Sequence, residues 1–409
     1  MKISTSNNSP AGRRRGNAPI LVAALLVLIA ALGAWFVGRA PSPAPTAMAA
    51  AQLTDIRGRP IHLAGHPTGA AHRIAIDDSR YLVALNLLHP DPVSLLAAWP
   101  QDVNRLGEET YQQFLEKSPA LATLPKIASS AASFDLEALL AAKPDLALLS
   151  LESGVTDAQI AQIEKAGIPV AIVDFFQKPF RNLEPSLRLV GQLVGRSEQA
   201  ERFIAFRAEH MNRIAERVAS LPADDRPTVF VEAHAGISPE CCNSPGRGNI
   251  GEYVDFVGGH NIGSDVISQA FGKLNLEYVI SRDPHVYIAT GGPHLEKVGG
   301  LVLGAGYDAA RARDSLRKVA GRPGIAGLSA VKAGRAHGFS HQLLNSPLDI
   351  VAIEAFARWI HPELFVDIDP QATLDTINRA FLSVPYTGTW WIDLAPLSPE
   401  PNAEKDRTS

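Results

Sequence analysis

Cysteine and excess charge of either sign are both scarce in this chain. Its 409 residues include two cysteines, Cys241 and Cys242, which are adjacent. A disulfide framework is therefore excluded, and no Cys/His spacing fits a structural zinc site. Lys and Arg number 38 against 42 Asp and Glu, so no basic excess indicates a nucleic-acid partner. The length suffices for two domains with separate cores.

The motifs of common enzymes are also missing. The chain contains no G-x-S-x-G, H-E-x-x-H or P-loop sequence. Asp77, Asp78 and Glu232 could supply an acid–base pair, but helix capping explains the first two more simply. We predict no enzymatic activity and no intrinsic cofactor. An exported hydrolase and a sensory module held at the membrane are the alternatives.

Long apolar runs are limited to one, at residues 19–37, directly after Arg13, Arg14 and Arg15. A Pro/Ala/Ser linker follows, with an A-x-A site at Ala47 and Ala49. These features predict an export signal, while the length also suits an uncleaved anchor. Residues 1–50 are thus predicted to be a signal or anchor plus linker. The remainder is predicted to be periplasmic, because the positive flank stays in the cytoplasm.

One stretch of sequence is present twice. Residues 134–150 read FDLEALLAAKPDLALLS, and residues 274–290 read LNLEYVISRDPHVYIAT. Each copy has apolar residues at helical spacing, then a proline, then a short apolar run typical of a buried strand. Glu137 occupies the same position as Glu277, and Pro144 the same position as Pro284. The duplication predicts two similar α/β lobes that face each other across a cleft.

Strands alternate with helices through both halves, which predicts parallel-rich sheets with ligands at the carboxyl ends of their strands. We predict an N-terminal lobe at residues 51–178, a connector at 179–221 and a C-terminal lobe at 222–395. Residues 396–409 are rich in Pro, Ser and Glu and are predicted to be disordered. The apolar spacing of the connector fits either one long helix or two stacked helices.

Four segments carry a family resemblance: FDLEALLAAKPDLALLS; KAGIPVAIVD; IGEYVDFVGGHNIGSD with LEYVISRDPHVYIATGG; and LSAVKAGRAHGF with IEAFARWIHPELF. In this order, over residues 74–381, they resemble periplasmic substrate-binding proteins of ABC importers. Specifically, they resemble the rigid two-lobe class that carries ferric siderophores, haem and cobalamin. The resemblance implies one long helix joining the lobes, which favours the first interpretation of the connector. It also implies that Glu137 and Glu277 dock on arginines of an inner-membrane permease. We predict that the protein is a monomer.

Members of this family bind ligands between the lobes through aromatic and basic side chains. We predict a ferric siderophore as the ligand, with haem, cobalamin or a bare transition metal as alternatives. Bidentate arginines suit the oxygens of an anionic chelate, and aromatic walls suit its apolar parts. The predicted ligand-binding residues, of which Arg247 and Trp99 are the strongest candidates, are Arg80, Tyr81, Trp99, Arg105, Phe176, His234, Arg247, Tyr307 and His341.

Weaker candidates on the same loops are Phe175, Glu232, His294 and Phe339. A bare metal would need about four converging ligands, for which His89, His234, His294 and His341 are the nearest histidines. In an oxidising compartment, Cys241 and Cys242 could form a disulfide between adjacent residues that stiffens the loop and presents it to ligand. Two free thiols, or two ligands for a soft metal, are the alternatives.

Overall fold

The computed structural model describes residues 53–63, 70–127, 134–222, 226–344 and 346–394. The predicted export segment and the predicted disordered tail lie outside these ranges. Within them, no helix combines the length and the apolar character that crossing a bilayer requires.

The N-terminal lobe is built on four parallel strands in the order β2-β1-β3-β4. These strands are β1 (Ile74–Ile76), β2 (Leu96–Ala98), β3 (Leu146–Ser150) and β4 (Val170–Val173). Its helices are α1 (Tyr81–Leu88), α2 (Val103–Leu106), α3 (Glu108–Lys117), α4 (Leu136–Ala142) and α5 (Asp157–Lys165). The strands are buried along their whole length, as expected for a sheet covered on both faces.

The C-terminal lobe contains a five-stranded sheet and a separate two-stranded antiparallel sheet. Its strands are β5 (Thr228–Glu232), β6 (Asn243–Pro245), β7 (His260–Asn261), β8 (Phe271–Lys273), β9 (Val286–Gly291), β10 (Ala336–Ser340) and β11 (Trp391–Asp393). The larger sheet has the order β11-β10-β9-β5-β7, with β11 antiparallel to β10 and the other pairs parallel. The smaller sheet pairs β6 with β8.

The helices of the second half cover this sheet and connect it to the first lobe. In chain order they are α6 (Pro179–Leu193), α7 (Ser197–Val218), α8 (Ile250–Phe256), α9 (Leu276–Arg282), α10 (Ala309–Ala320), α11 (Ser329–Lys332), α12 (His341–Leu344), α13 (Asp349–Ile360) and α14 (Pro370–Ala380). Single 3-10 turns occur at Val93–Leu95, Pro119–Thr123, Ile262–Asp265 and Pro293–Val298.

The duplicated sequence forms the same local structure in both lobes. Helix α4 begins where the carboxylate of Asp135 accepts a hydrogen bond from the N–H of Ala138, and α9 begins where Asn275 accepts one from Glu277. Both helices end in a residue with positive φ, Lys143 (48°) and Asp283 (37°), followed by a proline that cannot continue the helix. The strands that follow, β3 and β9, are interior strands of their sheets. The predicted α/β fold with two similar lobes is confirmed.

The connector differs from the prediction of one long helix. It consists of α6 and α7, separated at Gly195, where φ is +68°. The two helices fold back on each other, as shown by the contact across the turn between Arg188 Nε and Glu201 Oε1, which are 2.5 Å apart. The glycine supplies the left-handed conformation that ends α6, and apolar spacing alone does not reveal it.

The second connector helix takes over the bridging role. Helix α7 has 22 residues and is about 33 Å long at 1.5 Å per residue. Near its start, the Gln199 amide donates to the carbonyl oxygen of Leu87 in α1 (3.1 Å). Further along, Arg207 makes a buried bidentate pair with Asp349 in α13, with both N···O distances 2.8 Å. One hydrophobic core continues from Ile74 of the N-terminal sheet through α7 into the C-terminal lobe, which couples the lobes mechanically.

Candidate ligand-binding site

Three histidines lie at the carboxyl edge of the C-terminal sheet. Each histidine comes at most three residues after the end of a strand: His234 follows β5, His294 follows β9 and His341 follows β10. These three strands are parallel neighbours in the sheet. His234 Nδ1 is 2.8 Å from His294 Nε2, and the ring centroids of His234 and His341 are 4.0 Å apart. We call these residues the histidine cluster. They lie at the sheet edge where α/β proteins bind ligands.

Two properties mark the histidine cluster as more than ordinary core. His234 has φ +53°, a conformation that is uncommon for residues other than glycine and that concentrates at functional sites. Burial lowers the pKa of His294, an effect that the nearby Asp102 carboxylate opposes. Burial thus disfavours the protonated form of the His294 imidazole.

A cavity of about 330 Å³ lies between the lobes above two of these histidines. It is lined by Phe176, Ala233, His234, Asn243, Phe271, Gly272 and His341. Phe176 follows β4 of the N-terminal lobe, and its ring stacks on that of Phe271 from β8, with centroids 5.7 Å apart. Asn249 of the C-terminal lobe donates its side-chain N–H to the carbonyl oxygen of Phe176. Both lobes therefore contribute to the wall of the cavity.

Arg80 lies behind this wall and is already paired. Its guanidinium donates to both carboxylate oxygens of Asp78, at 2.6 to 3.1 Å, and lies 3.7 Å from Glu152. The same group lies over the ring of Phe176, 5.2 Å from the centroid. Arg80 thus fixes the orientation of an aromatic wall residue rather than offering an unpaired cation.

Two predicted ligand-binding residues belong to the core instead. Tyr81 is 3% exposed, and its hydroxyl donates to the carbonyl oxygen of Val173. Trp99 is fully buried and stacks on Tyr111 with centroids 5.7 Å apart. The physical reason is that Trp99 extends the sheet beyond β2, by a parallel bridge to Lys126. The sequence pattern does not indicate strand β2, which ends at Ala98, directly before Trp99.

The remaining candidates are dispersed. Arg247 is exposed and donates to the carbonyl oxygen of Ser264, whereas Tyr307 donates to Glu296 (2.8 Å); neither lines the cavity. Arg105 lies in α2. The three other aromatic or acidic candidates, all buried, are Phe175, Glu232 and Phe339. Sequence reasoning missed Phe271 and Asn243, which reach the cavity because β6 and β8 pair.

The cysteines are joined, but neither lines the cavity between the lobes. Cys241 and Cys242 form a disulfide between adjacent residues, and the carbonyl oxygen of Cys242 accepts a hydrogen bond from the N–H of Leu274 (2.9 Å). Cys241 lines a second cavity, of about 590 Å³, together with Glu277. The disulfide therefore adjoins the start of α9 and is not part of the cavity between the lobes.

Glu137 and Glu277 occupy equivalent positions. Each is the second residue of its helix, α4 or α9, and each is exposed. Within the described part of the chain, neither carboxylate forms a salt bridge. Their docking role stays a prediction from the resemblance, and the geometry leaves both available for a partner.

A site for a bare metal ion is not found among the residues that the structure describes, since no group of three or more His, Cys, Asp or Glu is arranged to hold one. In the histidine cluster, the ring nitrogens of His234 and His294 face each other instead of a common point. His89 ends α1, with Nδ1 2.7 Å from the carbonyl oxygen of Asp91.

Comparisons with known proteins agree with this architecture. A TroA-like periplasmic binding protein, FepB, from Veillonella parvula is 23% identical, with a TM-score of 0.74, and the match covers 84% of this chain and 99% of that one. The molybdate-bound binding protein MolA from Haemophilus influenzae is 16% identical, with a TM-score of 0.62, over 82% and 99% of the two chains. A haem-binding protein from Pseudomonas aeruginosa is 18% identical, with a TM-score of 0.52, over 80% and 100%.

These identities establish the fold and leave the ligand open. None of the curated proteins compared with the chain matches it significantly. The sequence model of a family described as periplasmic binding protein matches residues 87–337, which is more than half of the chain. The protein is therefore a member of the periplasmic binding protein family.

Proposed function

We propose that this protein is the solute-binding component of an ABC importer. In this proposal it works in the periplasm as a monomer, captures a ferric siderophore, and delivers it to an inner-membrane permease without chemistry of its own. The observation that carries the proposal is the cavity between the lobes, with the stacked Phe176 and Phe271 on one side and the histidine cluster on the other.

The lining of the cavity supports an organic ligand. Ligand pockets combine apolar walls with a few polar groups that fix the orientation of the ligand. The two phenylalanine rings provide the apolar wall, and the imidazoles of His234 and His341 with the amide of Asn243 provide the polar groups. A volume of about 330 Å³ is at the small end for ligand pockets, so we infer that it encloses part of a chelate.

Haem is the second candidate, for a specific reason. Imidazole is a common axial ligand of haem iron, and two members of the histidine cluster line the cavity. Similar structures include both a haem-binding protein and a molybdate-binding one, so the fold serves chemically different ligands. No feature of the cavity specifically favours cobalamin.

Calorimetric titration of the full-length protein with ferric siderophores, haem and cobalamin tests the proposal. We expect a dissociation constant of about 1 μM or tighter for at least one ferric siderophore. Phe271→Ala and His341→Ala should each weaken that binding about tenfold or more, because each removes a wall of the cavity. His62→Ala, at an exposed histidine outside the cavity, is the matched control and should bind as the wild type does.

The outcomes are distinct. Stoichiometric haem binding without siderophore binding would replace the leading candidate by the second. Absence of binding for every chelate would contradict the proposal as a whole.

A further inference from the structure

A third cavity, of about 420 Å³, lies where both lobes meet the connector. Its described lining comes from the end of α1, the start of α7 and the segment in which α14 ends. Because α1 links the parallel strands β1 and β2, it runs back from the carboxyl edge of the sheet to the amino edge. The end of α1 therefore lies away from the cavity between the lobes, and the two cavities share no described lining residue.

Three arginines, Arg196, Arg202 and Arg379, border this space, which we call the arginine cavity. All three are exposed, and in the described part of the chain none forms a salt bridge. The hydrogen bonds of Arg202 and Arg379 go to neutral side chains of their own helices. Like charges around one cavity repel each other, so an anion bound between these arginines would relieve that repulsion.

The charge of the arginine cavity is opposite in sign to that of the whole chain. One carboxylate, Glu198, borders it together with the three arginines, which leaves an excess of two positive charges. The chain as a whole has a formal net charge of −4. Protonation of His89, which also borders the cavity, would only add to this excess. The arginine cavity is therefore a local positive site on an acidic protein.

The apolar part of the lining joins the two lobes. Leu87 and Leu88, at the end of α1, are buried, whereas Phe381 and Leu382, after α14, are half-buried. The Gln199 amide of α7 donates to the carbonyl oxygen of Leu87 (3.1 Å), which holds the connector against α1. A molecule in this cavity would contact the N-terminal lobe, the connector and the C-terminal lobe at the same time.

The lining fits an organic phosphate better than other classes of ligand. Guanidinium groups bind phosphate and carboxylate oxygens bidentately. A phosphate monoester has three acceptor oxygens and a charge of about −1.5 to −2 at neutral pH, so it can bond several guanidiniums at once. The volume of about 420 Å³ lies in the range of pockets for organic molecules, and the apolar side chains would pack against the organic part.

We propose that the arginine cavity is a second ligand site, which binds the phosphate group of a small phosphate monoester through Arg196, Arg202 and Arg379. This site is separate from the one that would bind the imported solute. A ligand that binds the folded protein alone also stabilises it, so occupancy of this site should strengthen the junction of the two lobes. The phosphate could belong to a soluble ester or to a lipid headgroup, and the experiment distinguishes these sources.

Calorimetric titration of the full-length protein with glycerol 3-phosphate, at about 0.05 M salt to limit screening, tests the proposal. We expect one site with a dissociation constant of about 100 μM or tighter, and a higher melting temperature with the ester present. Glycerol, which lacks the phosphate, should not bind. The combined variant Arg196→Gln, Arg202→Gln and Arg379→Gln should bind about 30-fold more weakly or worse, because it loses three charge-assisted contacts.

The matched control is Arg213→Gln, also on α7. Arg213 is exposed, lies 3.7 Å from Glu209 and does not border the arginine cavity, so this variant should bind the ester as the wild type does. The three altered arginines are exposed, and the combined variant should therefore melt within a few degrees of the ligand-free wild type. Each single variant should bind about tenfold more weakly, which provides a reading should the combined variant fold poorly.

Sedimentation with vesicles identifies the source of the phosphate. Vesicles of phosphatidylcholine with phosphatidic acid present the monoester as a headgroup, and vesicles of phosphatidylcholine alone are the control. Binding to the first that is lost in the combined variant would support the proposal with a lipid as the source. Binding of glycerol 3-phosphate alone would support it with a soluble ester. If neither bound, or if the combined variant bound as the wild type does, the inference would be overturned and the proposed function would be unaffected.

Discussion

At the carboxyl edge of the N-terminal sheet, Asp77 and Asp174 accept hydrogen bonds from the backbone, whereas the same edge of the C-terminal sheet carries the histidine cluster. The carboxyl oxygens of Asp77 accept from the N–H of Ser150 at 2.9 and 3.0 Å. That of Asp174 accepts from the N–H groups of the three residues 176–178. The N-terminal lobe thus uses its polar side chains to hold loops, and the C-terminal lobe places its polar side chains beside the cavity.

The difference shows how a duplicated scaffold acquires one binding site. The repeated unit of helix, proline and interior strand is the same in both lobes, down to the left-handed residue before the proline. What differs is the loops after the strands, where function is usually located. All but one of the residues that line the cavity come from the C-terminal lobe. We therefore expect ligand chemistry to depend mainly on that lobe, and the stability of the fold to depend on both.

The largest effect should come from breaking the buried ion pair that attaches connector helix α7 to α13 of the C-terminal lobe. Arg207→Met leaves Asp349, which is fully buried, without its bidentate partner. Breaking a buried pair by removing one member costs about 3–5 kcal/mol. We expect urea denaturation to show that loss in the free energy of unfolding.

The matched control is Arg213→Met, on the same helix. Arg213 is 3.7 Å from Glu209, and both side chains are exposed. Its loss should change stability by no more than about 0.5 kcal/mol. If the two variants were equally stable, the attachment of α7 to the C-terminal lobe would not depend on Arg207.

The next effect is a pH dependence of the free energy of unfolding that comes from Asp77 in the N-terminal lobe. Burial raises the pKa of Asp77 from 3.8 to about 8, so the folded protein keeps a proton that the unfolded chain loses above pH 4. The free energy of unfolding should therefore fall as pH rises between these values. Asp77→Asn retains an acceptor for Ser150 without the ionisation. At pH 8 we expect it to be about 1–3 kcal/mol more stable than the wild type.

Denaturation at pH 5 and pH 8 provides the check. The gain from Asp77→Asn should be much smaller at pH 5, because the wild-type carboxyl is protonated there. Asp157→Asn, at a side chain that is 83% exposed, should follow the pH dependence of the wild type. An equal shift for Asp77→Asn at both pH values would show that ionisation of Asp77 is not responsible.

A smaller effect tests the equivalence of the duplicated units directly. Asp135→Ala removes the N-cap of α4, and Asn275→Ala removes that of α9. Each should cost about 1 kcal/mol, measured by urea denaturation. The exchanges Asp135→Asn and Asn275→Asp keep a capping oxygen and should be nearly neutral. A cost confined to one lobe would mean that only that copy still depends on its cap.

The sequence predicted the features that local patterns determine. The duplicated unit can be recognised because the proline, the helical spacing and the apolar run are local signals. The presence of two similar α/β lobes follows from that duplication. His234 and His341 were identified because they follow apolar runs, and carboxyl ends of parallel strands share an edge. Their proximity to His294 depends on β5, β9 and β10 being neighbours, which the sequence does not state.

The errors concern contacts between distant segments. Trp99 is buried by Tyr111 and by its bridge to Lys126. Phe271 reaches the cavity because β8 pairs with β6, although a helix, a short strand and a 3-10 turn separate these strands in the sequence. Strand β11 pairs antiparallel with β10, although more than fifty residues of sequence separate the paired positions. Local propensity carries no information on such pairings, because tertiary context determines them.

The docking glutamates should give the smallest change in stability but a clear change in transport. Glu137→Gln and Glu277→Gln alter exposed residues without a salt bridge among the described residues, so each should change stability by less than about 0.5 kcal/mol and leave chelate affinity unchanged. Uptake into proteoliposomes that contain the permease should fall in each, and further in the double variant. Glu240→Gln, which breaks an exposed pair with Lys273 (2.7 Å) beside the same cavity as Glu277, should transport normally. Normal uptake by the double variant would show that the two lobes do not dock through their equivalent glutamates.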